Sequence, residues 1–278
     1  MSETNTYFMT SDDELSRLAN QHDVFKDEMG SLVLAPVDFS AGPLRILDSA
    51  TADGTWLRDL QSSLPATPAH TFVGIDKDPT KFPAVPPKNT EFHVQDINLP
   101  WPADWHNSYD LVHQRLALAG AGPHGRATLH SMTELVKPGG WIQLVEATTA
   151  DFESNGPAAR LFPRLIRDVF ALLGGSVNMA QQMSDWLGDA PGGFVDIQDR
   201  LVDVKLGAVN PDPKLAKQGA YSTSVGARQL VAFAKTFPPG GLSMTTEELD
   251  AMDKGLLDEL MEKGAVFQLR VVWARKAV

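Results

Sequence analysis

Apolar residues recur along this chain with two periods, and each period predicts one type of secondary structure. Spacings of three and four residues predict helices, and they occur at residues 11–29, 56–64, 126–136, 157–173, 178–187 and 245–260. Short apolar or alternating runs predict strands, and they occur at residues 44–47, 71–75, 91–95, 109–112, 141–145, 195–206 and 267–273. Ser11 with Glu14, and Thr245 with Glu248, have the spacing of capping boxes, which predicts where two of the helices begin.

The order of these elements predicts an α/β protein with a doubly wound, mostly parallel sheet, because strands alternate with helices up to about residue 150. The segment Lys137–Gly140 predicts a turn before the fifth strand, and the alternation from Phe267 to Trp273 predicts a closing edge strand. Two helices without a strand between them predict an inserted helical lid at about residues 151–192. We therefore divide the chain into an N-terminal helical cap, residues 1–40, and one α/β domain, residues 41–278.

The composition excludes several classes of function. The 278 residues carry a formal net charge of −11, and no run of Lys or Arg is longer than two, so the basic surface that nucleic acids and anionic membranes require is missing. The chain has no cysteine, which rules out disulfides, thiolate nucleophiles and zinc–sulfur sites; we predict no metal ion. No apolar run approaches the ~18 residues of a membrane span. We expect a soluble, cytoplasmic protein.

The segment Asp48–Gly54 is the strongest candidate for a ligand-binding loop. It follows the apolar run Leu44–Leu47 and consists mostly of very small residues, which predicts a strand, a tight turn and a helix. A bulky side chain at Ala50, Ala52 or Gly54 would block the close approach of a ligand to the backbone. Free N–H groups at the start of the following helix would face the same ligand.

Polar residues stand at the ends of the predicted parallel strands, where ligands of open α/β sheets bind. They are Asp48, Asp76, Asp96, His113 and Glu146. Asp76 follows Gly54 by 22 residues, close to the ~20 expected for an acid that bonds ribose hydroxyls; an ordinary solvated strand end is the alternative. Asp96 either accepts the exocyclic amine of an adenine, with the Ile97 N–H facing a ring nitrogen, or caps a turn.

Several short motifs, taken together, resemble a known family. In chain order they are Asp48-x-Ala-x-Ala-x-Gly54, Val73-Gly-Ile-Asp76, Gln95-Asp-Ile97, Asp110-Leu-Val-His113 and Lys137-Pro-Gly-Gly-Trp141. This series resembles the class I S-adenosylmethionine-dependent methyltransferases over roughly residues 40–150. Two further motifs resemble the fungal branch that contains secondary-metabolite methyltransferases and the regulator LaeA; they are Glu14-x-x-Arg17-Leu18-x-x-Gln21-His22-x-x-Phe25 and Leu32-x-Leu34-Ala-Pro36.

The resemblance implies a Rossmann-like, seven-stranded domain that binds S-adenosylmethionine. The loop Asp48–Gly54 would hold the methionine portion of the cofactor, Asp76 the ribose, and Asp96 with Ile97 the adenine. Gln21 and His22 would close the pocket from the first helix. The full set of cofactor-binding residues that the resemblance implies is Gln21, His22, Asp48, Ala50, Ala52, Gly54, Asp76, Lys77, Asp96, Ile97 and His113.

The first loop departs from the family pattern, because Ala50 and Ala52 stand where the family has glycines. A positive φ at either alanine would be strained, since the left-handed region is easily reached only by glycine. S-adenosylmethionine has no phosphate, however, and tolerates a less open loop than a dinucleotide does. We therefore expect the loop to bind this cofactor.

The resemblance implies transfer of a methyl group from S-adenosylmethionine to oxygen, nitrogen or sulfur of a small secondary metabolite. Positioning of two bound reactants can supply most of the acceleration, so few catalytic side chains are needed. His113 is the first candidate for a general base and Glu146 the second; alternatively, His113 only shapes the pocket and Glu146 faces water. Three other functions remain open: a regulator that acts through protein partners, a cofactor-dependent reaction without methyl transfer, such as a pericyclic step, and a pseudoenzyme without cofactor.

Overall fold

A computed structural model describes residues 12–238 and 240–278 of the chain. The helices are α1 (Asp12–Met29), α2 (Thr55–Ser63), α3 (Gly125–Thr133), α4 (Pro157–Leu172), α5 (Met179–Gly188), α6 (Pro213–Ala234) and α7 (Thr246–Glu262). The strands are β1 (Arg45–Ser49), β2 (Thr71–Asp76), β3 (Thr90–Val94), β4 (Tyr109–Arg115), β5 (Val136–Ala147), β6 (Phe194–Leu206) and β7 (Ala265–Lys276). The capping box predicted at Thr245 and Glu248 is confirmed, whereas Ser11 of the other lies outside the described residues.

In the part of the chain that the structure describes, seven strands form one sheet in the order β3-β2-β1-β4-β5-β7-β6. Neighbouring strands from β3 to β5 pair in parallel, and β7 pairs antiparallel with β5. The predicted fold class is therefore confirmed. Because β1 to β5 are parallel, their carboxyl ends lie at one edge of the sheet, and the registers place Asp48 beside His113 and beside Gly74.

The prediction that the last strand forms the edge of the sheet is wrong. β7 lies between β5 and β6, and its buried residues include the consecutive pair Val271 and Val272, one from each face. Gln268 and Arg270 are only partly exposed. An alternating pattern indicates that one face of a strand is less apolar than the other, but it does not indicate which strands pair with that strand.

The segment Lys137–Gly140 does not form the separate turn that we predicted, because α3 ends at Thr133 and β5 already begins at Val136. Gly139 has a φ of 80°, and the pairing of β4 with β5 shifts register between Tyr109 and Leu111. A Cβ at Gly140 would lie 3.0 Å from the carbonyl oxygen of Asp110. The glycines therefore lie at an irregularity in the pairing of β4 with β5, and the two strands continue to pair beyond it.

Helix α6 was not predicted. Most of its buried residues are small, so they do not produce the apolar periodicity that marks a helix. A signal was present at its start, where Asp212 accepts the N–H groups of Lys214 and Leu215 and Pro213 occupies the first helical position. The buried residues of α6 are Gly219, Ala220, Ser222, Ser224, Gly226, Ala227, Val231 and Ala234.

The described chain divides into two compact units. One contains residues 12–28, 149–172 and 203–267, with a core that includes Leu165, Val169, Leu256 and Leu260. The other contains residues 29–148, 173–202 and 268–278, with a core built around Ile46, Trp56, Leu57, Phe72 and Leu111. The cap boundary at residue 40 and the lid at about 151–192 stay predictions.

All the polar strand ends described above lie in the second unit. Among the described residues, no helix combines the length and the apolar character that crossing a membrane requires.

Candidate active site

The loop after β1 has left-handed backbone at three alternate positions. The φ angles are 57° at Ala50, 52° at Ala52 and 75° at Gly54. Glycine adopts this conformation freely, but an alanine in it loses about 1–2 kcal/mol, because its Cβ crowds the following carbonyl oxygen. The loop therefore has the shape that glycines would give it, and two alanines adopt that shape against their own preference.

Hydrogen bonds hold the strained loop in place from both sides. The Thr51 N–H donates to the Ile75 carbonyl at 2.7 Å, and the Gly54 N–H donates to the Thr51 carbonyl at 2.9 Å. The Thr51 hydroxyl donates to Oδ2 of Asp48 at 2.6 Å. Strained backbone of this kind persists where the surroundings over-determine it, as they do here.

Two glycines bring the loop and helix α2 close to the neighbouring strands. A Cβ at Gly54 would lie 2.6 Å from the ring of Phe92, and a Cβ at Gly74 would lie 2.8 Å from both that ring and the Thr51 methyl group. Neither position has room for any side chain. Gly54 therefore serves close packing of the helix start as well as the left-handed turn.

Asp76, at the end of β2, contacts the loop directly. Its Oδ2 accepts the Ala52 N–H at 3.0 Å, and its Oδ1 accepts the Asp78 N–H at 3.0 Å. Each carboxylate oxygen can accept a second hydrogen bond, so Asp76 keeps acceptor capacity for a pair of ligand hydroxyls. Lys77, the next residue, is exposed.

Asp96 and Ile97 lie in the turn after β3, and both are partly buried. Oδ1 of Asp96 accepts the Asn98 N–H at 2.9 Å, and its carbonyl accepts the Leu99 N–H at 3.0 Å. The turn-capping geometry considered for Asp96 is therefore present. It occupies one of the two carboxylate oxygens, which is compatible with a ligand contact at the other.

His113, near the end of β4, is enclosed by the protein. His113 is 1% exposed. Its Nδ1 lies 2.7 Å from Oδ1 of Asp48, and its ring stacks on the Trp56 indole with ring centroids 3.9 Å apart. Burial lowers the pKa of His113, although the hydrogen bond to Asp48 acts in the opposite direction. The imidazole is therefore neutral near pH 7, with its Nδ1–H donated to the carboxylate.

Glu146, near the end of β5, is also enclosed, at 3% exposure. Its Oε1 accepts the N–H groups of Ala117 and Leu118, at 3.0 and 2.8 Å. Burial raises the pKa of Glu146 to about 7, while the two backbone hydrogen bonds act to lower it. The residue before this pair, Leu116, has a φ of 52°, so a second strained turn lies at the same edge of the sheet.

Gln21 and His22 lie on α1, in the other unit. His22 is 2% exposed and Gln21 is partly exposed. Their part in closing a cofactor pocket stays a prediction.

The sequence did not single out several residues that organise this region. Thr51 could have been found, because a hydroxyl three residues after Asp48 is well placed to bond it. Gln143 could also have been found, as a polar residue inside a buried strand. Gln143 accepts the N–H of Leu34 at 2.6 Å and donates to the carbonyl of Leu32 at 2.9 Å. These hydrogen bonds fix residues 32–34 to β5. Nothing in the sequence indicated the strained φ of Leu116.

The residues of the second unit fit S-adenosylmethionine. In the loop after β1, Ala50 and Ala52 have no side-chain atoms beyond Cβ, so a ligand can approach the backbone there. Asp76 has two acceptor oxygens suited to ribose hydroxyls.

Comparison with known proteins supports this interpretation, although no family model matches the chain. The chain is 36% identical to the N-methyltransferase gliN of Aspergillus fumigatus, over 98% of this chain and 97% of that protein. It is 35% identical to the N-methyltransferase sirN of Leptosphaeria maculans, over 99% of this chain and 95% of that protein. Its fold is similar to that of phosphoethanolamine N-methyltransferase 2 of Haemonchus contortus, solved in complex with S-adenosyl-L-methionine; the TM-score is 0.55, with 14% identity over 99% of this chain and 61% of that one.

Identity of this extent over nearly the whole length of two relatives shows the family. It confirms the cofactor, the fold class and the enzyme class that the motifs implied. The chain belongs to the class I S-adenosylmethionine-dependent methyltransferases, within the family of fungal enzymes that methylate small secondary metabolites.

Proposed function

We propose that this enzyme methylates a nitrogen atom of its small-molecule acceptor. The observation that carries the proposal is the full-length similarity to gliN and sirN, both named as N-methyltransferases. We propose the reacting atom and leave the identity of the metabolite to the experiment below.

A nitrogen acceptor does not require His113 or Glu146 to act as a base. A hydroxyl must lose its proton for methyl transfer and therefore needs a base, whereas a neutral amine attacks with its own lone pair. Nδ1 of His113 is committed to Asp48, and Oε1 of Glu146 is committed to two backbone N–H groups. Their assignment as bases stays a prediction, and a nitrogen acceptor does not depend on it.

We propose the following arrangement of the cofactor. The loop Asp48–Gly54 holds the methionine portion, Asp76 and the adjacent Lys77 lie at the ribose, and Asp96 with Ile97 lies at the adenine. The hydrogen bonds of two carboxylates in the second unit support this arrangement. Both oxygens of Asp76 and one oxygen of Asp96 accept backbone N–H groups, which orients the carboxylates, and each carboxylate retains acceptor capacity.

S-adenosylmethionine supplies a methyl group on a cationic sulfur. Transfer to a neutral nitrogen would form an N–C bond as the S–C bond breaks with its electron pair going to sulfur, and the proton of the methylated nitrogen would pass to bulk water after product release. The protein contributes by holding the two reactants in line and by excluding water. The loop after β1 and the turn after β4 are both fixed by hydrogen bonds, which suits them to that task.

The experiment is incubation of the purified protein with S-adenosylmethionine and a panel of small metabolites that offer amine, amide, hydroxyl and thiol groups. Mass spectrometry detects products heavier by one methylene, and NMR with a ¹³C-labelled methyl group identifies the methylated atom. We expect N-methyl products, abolished by S-adenosylhomocysteine. Products methylated only on oxygen or sulfur would contradict the proposal.

A further inference from the structure

We propose that Glu146 is a positioning residue, which sets the acceptor side of the site by holding the turn that follows β4. This inference rests on the proposed methyl transfer. It assigns Glu146 a role that does not require it to accept a proton from the substrate, and it makes the turn at residues 116–118 part of the site.

The carboxylate of Glu146 accepts hydrogen bonds from backbone N–H groups. A single oxygen, Oε1, receives two successive N–H groups, from Ala117 at 3.0 Å and from Leu118 at 2.8 Å. The residue is 3% exposed. A buried carboxylate that accepts two backbone donors orients them both, and losing it would leave the N–H groups of Ala117 and Leu118 without this partner.

The turn that Glu146 holds is strained. Leu116 has a φ of 52°, which a residue with a large side chain rarely adopts. Its N–H donates to the Val145 carbonyl at 2.9 Å, so β5 holds the turn at three successive N–H groups, of Leu116, Ala117 and Leu118. Strain that is retained by so many contacts, at the ligand-binding edge of a sheet, points to a required backbone position.

The turn is also tied to the strand that carries the cofactor loop. β1 and β4 are neighbours, and the Ser49 hydroxyl donates to Oε1 of Gln114 at 3.0 Å. The amide nitrogen of Gln114 is buried and has no hydrogen-bond partner among the described residues. Ser49 and Gln114 are register partners, and Glu146 follows Leu144, the β5 partner of Gln114, by two residues. The three buried polar side chains therefore lie on the same face of the sheet.

The position of this turn decides the distance between the two reactants. It leaves the carboxyl end of β4, directly beside the loop after β1, where the methyl donor is held in the proposed arrangement. A displacement of about 1 Å in such a site can lower the rate about 100-fold without removing any reacting group. Removal of Glu146 should therefore lower turnover and leave cofactor affinity nearly unchanged.

The test compares Glu146→Gln with Glu146→Leu in the full-length protein. Glutamine keeps an oxygen that can accept both N–H groups but cannot act as a base at neutral pH, whereas leucine removes the acceptor. We expect Glu146→Gln to retain kcat within about threefold, and Glu146→Leu to lower kcat about 100-fold. In both variants, calorimetry should give an S-adenosylhomocysteine Kd within about threefold of the unaltered protein.

Amide hydrogen exchange at Ala117 and Leu118 provides a readout that is independent of turnover. Protection should persist in Glu146→Gln and be lost in Glu146→Leu. If Glu146→Leu does not fold, Glu146→Gln alone decides. Retained turnover with protected amides supports the proposal, and either lost turnover or unprotected amides in that variant overturns it.

Asp212 offers a matched control, because its Oδ1 also accepts two successive N–H groups, from Lys214 and Leu215 at 2.7 and 3.1 Å. Asp212→Leu should reduce stability and leave kcat unchanged. The exchange and calorimetric measurements require no acceptor, so the proposal about Glu146 can be judged separately from nitrogen methylation. Unaltered kcat in a folded Glu146→Leu variant would refute the positioning role even if nitrogen methylation were established.

Discussion

His113 and Asp48 form a buried pair across two adjacent strands, with Nδ1 of the imidazole 2.7 Å from Oδ1 of the carboxylate. The other oxygen of Asp48 accepts the Thr51 hydroxyl at 2.6 Å. The pair therefore links β4 to the loop after β1, and Trp56 stacks on the imidazole and fixes its plane. This linkage gives His113 a consequence for cofactor binding that does not depend on proton transfer.

His113→Phe tests this linkage, because phenylalanine preserves stacking on Trp56 but cannot donate to Asp48. We expect S-adenosylhomocysteine to bind at least about tenfold more weakly by calorimetry, since a buried carboxylate loses a charged hydrogen bond of roughly 1.5–3 kcal/mol. His130→Phe is the matched control, because His130 contacts a different carboxylate, Asp189, at 3.0 Å. Unchanged affinity in His113→Phe, with only turnover reduced, would favour a base at this position.

The two alanines of the loop after β1 lead to a stability prediction. Ala50→Gly and Ala52→Gly should each raise the free energy of unfolding by about 1 kcal/mol, because relief of left-handed strain exceeds the extra backbone entropy of glycine. Urea unfolding measures the change. Ala216→Gly, in the first turn of α6, should have the opposite sign and cost up to about 1 kcal/mol. A loss of stability in both loop variants would show that the left-handed backbone is not strained there.

Asp76 contacts both the loop and the site proposed for the ribose. Asp76→Ala removes the acceptor for the Ala52 N–H and the acceptors proposed for the ribose hydroxyls. We expect cofactor affinity to fall at least about tenfold. Asp78→Ala, at a neighbouring position whose carboxylate bonds Thr80, should have little effect. Similar affinities of the two variants would exclude the proposed contact.

Glu146 predicts a pH dependence of stability. Its pKa rises from 4.5 to about 7 on folding through burial, so the folded state binds the proton more tightly than the unfolded state does. Stability is therefore lost as the pH rises from about 4.5 through 7, by about 3 kcal/mol. Arg270, which is opposite Glu146 in the register of β7, directs its guanidinium to Asp199 and does not neutralise this charge.

Thermal unfolding of the unaltered protein and of Glu146→Gln at pH 5.5 and pH 8 checks the prediction. Glutamine has no proton to lose, so the variant should gain stability relative to the unaltered protein at the higher pH. An equal difference at both values would show that the carboxyl titrates in its ordinary range.

The strand ends of the site could be predicted from the sequence, because an apolar run that stops at an acid or a histidine indicates both the strand and a polar residue near its end. Asp48, Asp76 and His113 were located in this way. Backbone conformation could not be predicted, since alanine and leucine disfavour the left-handed region that Ala50, Ala52 and Leu116 adopt. In these turns, tertiary hydrogen bonds outweigh local preference.

Two parts of the fold escaped prediction for different reasons. The interior of α6 is lined by glycine, alanine and serine, whose burial leaves no apolar period. The place of β7 inside the sheet depends on which strands it pairs with, and alternation along one strand carries no information about its neighbours.

The central claim is that a loop with alanines at two left-handed positions still binds S-adenosylmethionine. Calorimetric titration of the purified protein with this cofactor tests it most directly. We predict saturable binding with a micromolar Kd, weakened by Asp76→Ala. Absence of heat at millimolar cofactor, in a protein shown to be folded, would contradict the claim.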